Sequence, residues 1–142
     1  MGMNRKTFEI LDHTADLGIV VTGDDLKDLF QNAAHAMLKI MLERPAEKGG
    51  KTRDISINST DLPDLMVRWL GEILYLFEGE HAVVTQTKIH GIKPDHLDAR
   101  IKTVPFSATR HELITEIKAV TYHQIEVVQK QGFWNARIIF DL

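Results

Sequence analysis

The first helical pattern lies in residues 26–41. Apolar side chains recur there at spacings of three and four residues, which places them on one face of a helix. Asp24 and Asp25 precede the segment, and either can cap it, because a carboxylate accepts the free backbone N–H groups of a first turn. Pro45 ends the run. One face of this helix must therefore be buried against another element.

A second amphipathic pattern covers residues 62–77 and is longer and more continuous than the first. Asp61 precedes it as a candidate N-cap. Pro63 falls in the first turn, where backbone N–H groups have no partner within the helix, so the missing N–H of proline costs no hydrogen bond. Gly79 follows the last apolar position and predicts the C-terminus of the helix.

Strand patterns account for much of the remaining chain. Stretches that alternate in polarity or are rich in β-branched residues, without helical periodicity, occur at residues 55–57, 82–92, 97–101 and 124–128. Residues 129–132 indicate a hairpin that pairs residues 125–128 with 133–140 in antiparallel fashion. Strands and helices do not alternate regularly, which favours an α+β two-layer sandwich, with a mostly antiparallel sheet packed against two main helices.

Composition narrows the class of protein. A chain of 142 residues that is 44% hydrophobic fits a single domain, residues 1–142, with one core. The 17 basic and 20 acidic residues give a net charge of −3, so no overall basic field would hold a nucleic acid directly. Cysteine is absent and no apolar run approaches the roughly 18 residues of a membrane span. We therefore expect a cytoplasmic protein without a membrane partner.

The sequence matches none of the common nucleotide-binding or hydrolase motifs. Residues 49–51, Gly-Gly-Lys, lack the preceding strand and the spacing of a phosphate-binding loop, and no dinucleotide-binding glycine fingerprint is present. His111 and Glu112 are not followed by the second histidine of a metalloprotease helix, and Ser107 is not in a nucleophile elbow.

A polar cluster near the N-terminus is the most informative feature of the chain. Residues 12–18, Asp-His-Thr-Ala-Asp-Leu-Gly, carry two carboxylates, an imidazole and a hydroxyl directly before an apolar strand. At the other end, Asp141 lies on the more polar face of the last strand, next to the main-chain oxygens of Leu142. If the fold brings Asp16 to these groups, their oxygens suit calcium or magnesium better than zinc. The alternative is a turn or helix-cap cluster, which such residues also favour.

Three histidines and a lysine also lie in informative positions. His13, like His111 and His123, occurs in a polar stretch, and each could instead simply bond a backbone carbonyl. Lys118 interrupts the apolar residues 117–120, so its ammonium must reach solvent or meet an anion such as Asp16 or Asp141. The alternative for Lys118 is an ordinary edge-strand lysine that discourages aggregation.

Several segments together resemble the archease family. They are Asp-His-Thr-Ala-Asp-Leu-Gly-Ile at residues 12–19, Gly23 with Leu-Phe-x-x-Ala at 29–33, Glu-Ile-Lys-Ala-Val-Thr-Tyr-His at 116–123 and the terminal Phe-Asp-Leu. The resemblance runs over nearly the whole chain in order, and only residues from about 81 to 107 show no family motif.

The resemblance implies a protein cofactor of an RtcB-type RNA ligase, not an enzyme. Archeases promote guanylylation and multiple turnover of that ligase in tRNA splicing and RNA repair, so RNA would be met only through the ligase. The resemblance also implies a metal site at Asp16, Asp141 and the main chain of Leu142, occupied by calcium, with magnesium or manganese as alternatives. A further set is expected to face the partner or support these ligands: Asp12, His13, Lys118 and His123.

Two other functions stay open at this point. One is a general chaperone or adaptor of nucleic-acid enzymes, in which the metal is merely structural. The other is a small metal-dependent hydrolase, which is disfavoured because the sequence shows no positioned nucleophile or base.

Overall fold

The computed structural model describes residues 7–12, 16–47 and 49–142, apart from the side chain of Asp12. The α+β class is confirmed, because these residues form two helices and mostly antiparallel strands. In chain order the elements are β1 (Phe8–Asp12), β2 (Asp16–Gly23), α1 (Leu26–Met41), β3 (Leu42–Glu43), β4 (Lys51–Asn58), α2 (Leu62–Glu80), β5 (Ala82–Lys93), β6 (His96–Pro105), β7 (Glu112–Leu113), β8 (Ala119–Val120), β9 (Glu126–Lys130) and β10 (Phe133–Asp141).

The strands form three sheets. The largest has the order β1-β2-β10-β8, with β9 also paired to β10, so the first and last described strands lie in one sheet. A second sheet has the order β4-β6-β5, and β3 pairs with β7. Every pairing is antiparallel. Both helices contact strands of both larger sheets, so one core serves them all.

The predicted helix starts are confirmed. Asp25 caps α1, where its carboxylate accepts the Asp28 N–H at 2.8 Å, and Asp61 caps α2 by accepting the Asp64 N–H at 2.9 Å. The predicted end of α2 at Gly79 is wrong. The helix continues to Glu80, and His81 takes the left-handed conformation (φ 54°) that usually falls to glycine.

The predicted C-terminal hairpin is confirmed, with a tighter turn than the sequence indicated. Lys130 pairs directly with Phe133, so the connection is the two residues Gln131 and Gly132. Gly132 has φ 75°, a backbone conformation that a short hairpin turn requires and that glycine adopts without strain.

A buried hydrogen bond joins the two helices. The indole N–H of Trp69 in α2 donates to the backbone carbonyl of Phe30 in α1 at 2.8 Å, and both residues are fully buried. The inner face of β10 packs in the same core through Ala136, Ile138 and Phe140. Neither helix has the length and unbroken apolar character that crossing a membrane requires.

The junction between β2 and α1 leaves no room for a side chain at Gly23. A Cβ there would lie 2.3 Å from the backbone nitrogen of Leu29 and 2.5 Å from its Cα. Backbone atoms cannot rotate out of the way as a side chain can, so α1 would have to move away from the end of β2. The glycine is thus required by the close approach of helix and strand.

We expect Gly23→Ala to lower the free energy of unfolding by about 3 kcal/mol, because α1 must shift within a packed core. The matched control is Gly71→Ala in α2, where a Cβ meets nothing within 4 Å. That variant should gain up to about 1 kcal/mol from higher helix propensity. Urea unfolding of both variants measures the two effects, and equal stability of the two would contradict the close-approach argument.

Candidate metal centre

The structure brings the two predicted acidic ligands together. Asp16 begins β2 and Asp141 ends β10, and the two residues are direct cross-strand partners. Side chains of direct partners project from the same face of the sheet, with Cβ atoms about 4.5–5.5 Å apart. Asp16 is partly buried and Asp141 is exposed, so the pair lies at the rim of the sheet.

The hydrogen-bond pattern shows that Asp16 and Asp141 form a non-hydrogen-bonded pair of the antiparallel ladder. The Asp141 carbonyl accepts the Lys118 N–H at 2.8 Å and the Ile139 carbonyl accepts the Thr121 N–H at 3.0 Å, so both carbonyls face β8. Asp141 therefore makes no ladder bond toward β2. In such non-hydrogen-bonded pairs the Cα atoms are only about 4.5 Å apart and the side chains approach most closely.

Two opposed carboxylates repel each other unless a positive charge lies between them. Like charges directly across a strand pair destabilise a sheet. A hard divalent cation that is coordinated by oxygens of both carboxylates removes this repulsion. Ala119 of β8 pairs with Asp141 on its other side, and its small side chain leaves that flank of the carboxylate open. The donor set therefore fits calcium or magnesium.

Side chains alone do not complete a metal cage in the described part of the chain. In residues 7–12, 16–47 and 49–142 no group of three or more His, Asp or Glu side chains is placed to hold an ion. Within the described part of the chain, the further ligands available to this pair are main-chain oxygens. Leu142 adjoins Asp141 and is 37% exposed.

Lys118 approaches the pair through its backbone. Its N–H bonds the Asp141 carbonyl, and its exposed side chain lines a cleft of about 420 Å³ with Phe77, His81 and Glu116, which neither Asp16 nor Asp141 lines. Among the described residues no ion pair joins the Lys118 ammonium to either aspartate.

The remaining predicted residues lie on the flanking segments. Asp12 ends β1 and its backbone pairs with Leu17, whereas its side chain and the whole of His13 lie outside the described residues. His123 is exposed in the turn after β8, where its N–H bonds the Thr121 hydroxyl at 3.3 Å.

His111 lies elsewhere and has a different partner from the one expected. Its Nδ1 accepts the backbone N–H of Ser107 at 2.9 Å, so the expected carbonyl partner at this histidine is wrong. Nε2 therefore carries the proton and donates to Glu47 at 3.2 Å. Both side chains are almost completely buried, and their bond ties the segment after β3 to the turn before β7.

A hydrogen bond that the sequence did not reveal holds the turn after β8. The hydroxyl of Tyr122 donates to Asp64 in the first turn of α2 at 2.6 Å. The Asp64 carboxylate also accepts the Thr60 N–H at 3.0 Å and Arg68 Nε at 2.9 Å, and only 8% of the residue is exposed. The segment that carries Lys118 and His123 is thus fixed to a helix N-terminus as well as to β10.

These bonds stabilise the charged form of Asp64. The Tyr122 hydroxyl is the largest cause, followed by the Thr60 N–H, and together with Arg68 they lower the pKa of Asp64 from 3.8 to about 2. The same bond raises the pKa of Tyr122. A carboxyl whose pKa is lower in the folded state stabilises that state above its ordinary pKa, and the contribution is lost as the pH falls toward 2.

We expect Tyr122→Phe to lower the free energy of unfolding by about 1.5 kcal/mol at neutral pH, the usual value of a hydrogen bond to a charged group. The difference from the unmodified chain should shrink as the pH falls from 4 toward 2, because Asp64 becomes protonated in both proteins. Tyr75→Phe is the matched control, since that tyrosine is 59% exposed and its hydroxyl bonds no described residue. Denaturant titrations across this pH range measure both variants, and a difference independent of pH would contradict the assignment.

Comparison with known proteins places the chain in a family. Residues 8–142 match the family model described as Archease protein family (MTH1598/TM1083). A protein archease from Methanosarcina acetivorans is 36% identical over 141 residues, which cover 96% of this chain and 97% of that protein. One from Methanothermobacter thermautotrophicus is 34% identical and covers 96% and 99%.

Solved structures agree with the sequence matches. The solution structure of Methanobacterium thermoautotrophicum protein 1598 superposes with a TM-score of 0.78 at 32% identity, covering 96% of this chain and 99% of that one. The crystal structure of an archease, described as a possible chaperone, from Thermotoga maritima gives a TM-score of 0.65 at 17% identity over 100% and 99% of the two chains, which supports the fold alone. With a family match from β1 to the last residue and relatives above 30% identity along nearly their full length, the chain belongs to the archease family.

Proposed function

We propose that this archease is a metal-dependent activator of an RtcB-type RNA ligase in tRNA splicing and RNA repair, which promotes guanylylation and multiple turnover of the ligase. The observation that carries the proposal is the direct pairing of Asp16 with Asp141 across β2 and β10. Two carboxylates that face each other across a sheet can offer oxygens from both strands to one cation, which supports a metal-binding role for the pair.

In this proposal the Asp16 and Asp141 carboxylates and a main-chain oxygen of Leu142 hold a divalent cation, calcium first, with magnesium or manganese as alternatives. The bound cation supplies positive charge that neutralises the two carboxylates and attracts anionic groups of a partner. The site is open on one side, because Asp141 is exposed and its neighbour in β8 is an alanine. Such a site suits presentation to another protein.

The flanking residues form the rest of the proposed contact surface with the ligase. Lys118 is bonded to the Asp141 carbonyl and Tyr122 to Asp64, so the segment that ends in His123 has a fixed position beside the pair. The chain contributes no covalent step. A preference for the guanylylation-competent state of the ligase speeds the reaction tenfold for each roughly 1.4 kcal/mol of differential binding.

A general chaperone or adaptor is the second candidate, in line with the description of the Thermotoga protein. Adjacent apolar side chains favour it, since Leu113 is 44% exposed and Ile114 is 54% exposed. In that case the ion only reinforces the sheet, and activation of a ligase does not depend on Asp16 or Asp141.

We expect the purified chain alone neither to ligate RNA nor to hydrolyse GTP, and to raise the product formed per ligase molecule when it is added to an RtcB-type ligase from the same organism. The assay follows ligase guanylylation and the joining of RNA ends, with GTP, manganese or magnesium, and calcium varied in turn. GTP turnover by the isolated chain, after removal of contaminants, would argue for an enzyme instead.

We expect Asp141→Asn to weaken calcium binding and to reduce ligase activation steeply while the fold survives. The change keeps the size of the side chain and removes the charge, so repulsion by Asp16 falls and the melting temperature in chelator should hold or rise. Calcium should raise the melting temperature of the unmodified chain and not that of the variant. Asp16→Ala should behave like Asp141→Asn in calorimetric titration with calcium.

Asp95→Asn is the matched control, because Asp95 is an exposed aspartate in the turn between β5 and β6. It should leave calcium binding and activation unchanged. If Asp141→Asn folds, loses calcium and still activates the ligase at the original rate, the adaptor function is favoured over the metal-dependent one.

A further inference from the structure

A cleft of about 710 Å³ lies between α1, the segment after β3, and β5. This volume falls within the usual range for small-ligand sites in proteins. None of its lining residues belongs to β2 or β10, so the cleft is separate from the Asp16–Asp141 pair. Its lining brings together three basic side chains, His35, Lys39 and Arg44, beside Thr85 of β5.

Arg44 is held in the cleft by the edge of a sheet. β5 is an edge strand, and its pairing with β6 passes from Val84 to Gln86, which leaves Thr85 as a bulge. Beside this bulge the Val84 carbonyl accepts a hydrogen bond from Arg44 Nη1. Arg44 makes no other hydrogen bond with the described residues, and its side chain lines the cleft.

His35 and Lys39 reach the same cleft from α1. They lie four residues apart, which places them one turn above each other on one face of the helix. Burial lowers the pKa of His35, and the positive charges of Arg44 and Lys39 lower it further. Burial also lowers the pKa of Arg44. Arg44 and Lys39 thus disfavour the charged form of His35, and an anion bound between the three side chains would favour it.

The acidic side chains of the cleft offset this charge only in part, because Glu47, which raises the pKa of Arg44, is shared with Arg110 and His111. Glu47 is almost completely buried and is already engaged by the Arg110 guanidinium and by His111. Glu43 is the exposed residue of β3. The Thr85 hydroxyl donates to the Gly49 carbonyl at 3.1 Å, which holds Gly49 against the bulge.

We propose that this cleft binds a phosphate group, held by Arg44, Lys39 and His35. A group with two negative charges and three terminal oxygens matches three converging basic side chains, whereas a single carboxylate would leave one of them unmatched. Arg44 supplies the planar fork that binds such oxygens in pairs. The chain has no glycine-rich phosphate loop, so side chains take over the role of that loop's backbone. The phosphate could be carried by a nucleotide or by an RNA end.

Calorimetric titration with inorganic phosphate, GTP and a short RNA that ends in a 3′-phosphate tests the proposal. We expect binding of inorganic phosphate, with Lys39→Gln and Arg44→Gln each weakening it by about tenfold through loss of a charge-assisted hydrogen bond. Tighter binding of GTP than of the RNA identifies a nucleotide as the source, and the reverse order identifies an RNA end. Arg100→Gln is the matched control, because that arginine is exposed on β6 and paired with Asp54.

The imidazole of His35 gives a second readout. Its pKa, measured by NMR, should rise when phosphate is present, because the anion offsets Arg44 and Lys39 within a cleft that Glu43 and Glu47 also line. Lys39 is exposed, so Lys39→Gln serves if Arg44→Gln does not fold. The proposal is overturned if none of the three probes binds, if Lys39→Gln binds phosphate as tightly as the unmodified chain, or if only an acidic peptide binds.

Discussion

The antiparallel pairing of β2 with β10 is the constraint on which the candidate metal centre depends. Along this ladder Ile19 faces Ile138 and Val21 faces Ala136, and all four side chains are buried under the helices. If one of the two strands slipped by one residue, its apolar side chains would move to the other face of the sheet, so the core fixes the register. The same register sets Asp16 against Asp141. Burial of these apolar side chains thus stabilises the strand pairing that holds the two carboxylates close together.

Both helices begin with the same capping arrangement, and in α2 this arrangement also binds the segment after β8. In each helix the N-cap aspartate accepts the N–H of an aspartate three positions later, and the carboxylate of that second aspartate accepts the N–H of the residue before the cap. In α1 the residue before the cap, the cap and the second aspartate are Asp24, Asp25 and Asp28. In α2 they are Thr60, Asp61 and Asp64. Only Asp64 also accepts the Tyr122 hydroxyl. A capping residue of α2 therefore positions the segment beside the carboxylate pair.

The parts of the structure that the sequence predicted are those governed by neighbours along the chain. Helix spacing, the Asp25 and Asp61 caps and the C-terminal hairpin follow from local rules, and they are confirmed. The errors at Gly79 and in the hairpin turn are shifts of one or two residues, since the residue that takes a left-handed conformation depends on tertiary contacts. For His81 one such contact is the bond from the Phe106 N–H to its carbonyl at 2.8 Å.

The candidate site was less accessible to sequence reasoning. Asp16 and Asp141 were identified by residue type and by family resemblance, but their direct opposition depends on a pairing between distant strands. The bond from Tyr122 to Asp64 and the bulge at Thr85 likewise join residues far apart in sequence, and no local pattern marks them. The cleft that His35, Lys39 and Arg44 line is formed in the same way, because Thr85 on its other side lies in a distant strand.

The position of the pair also determines when during folding it can form. Asp16 and Asp141 come from opposite ends of the described chain, so their contact closes one of the longest loops in the fold, and the entropy of that closure must be met by contacts made earlier. α1, α2 and the β4-β6-β5 sheet lie wholly within this loop and can assemble first. Loop-closure entropy thus favours late formation of the carboxylate pair, in the same step that docks β10 against β2, β8 and β9 and completes the larger sheet.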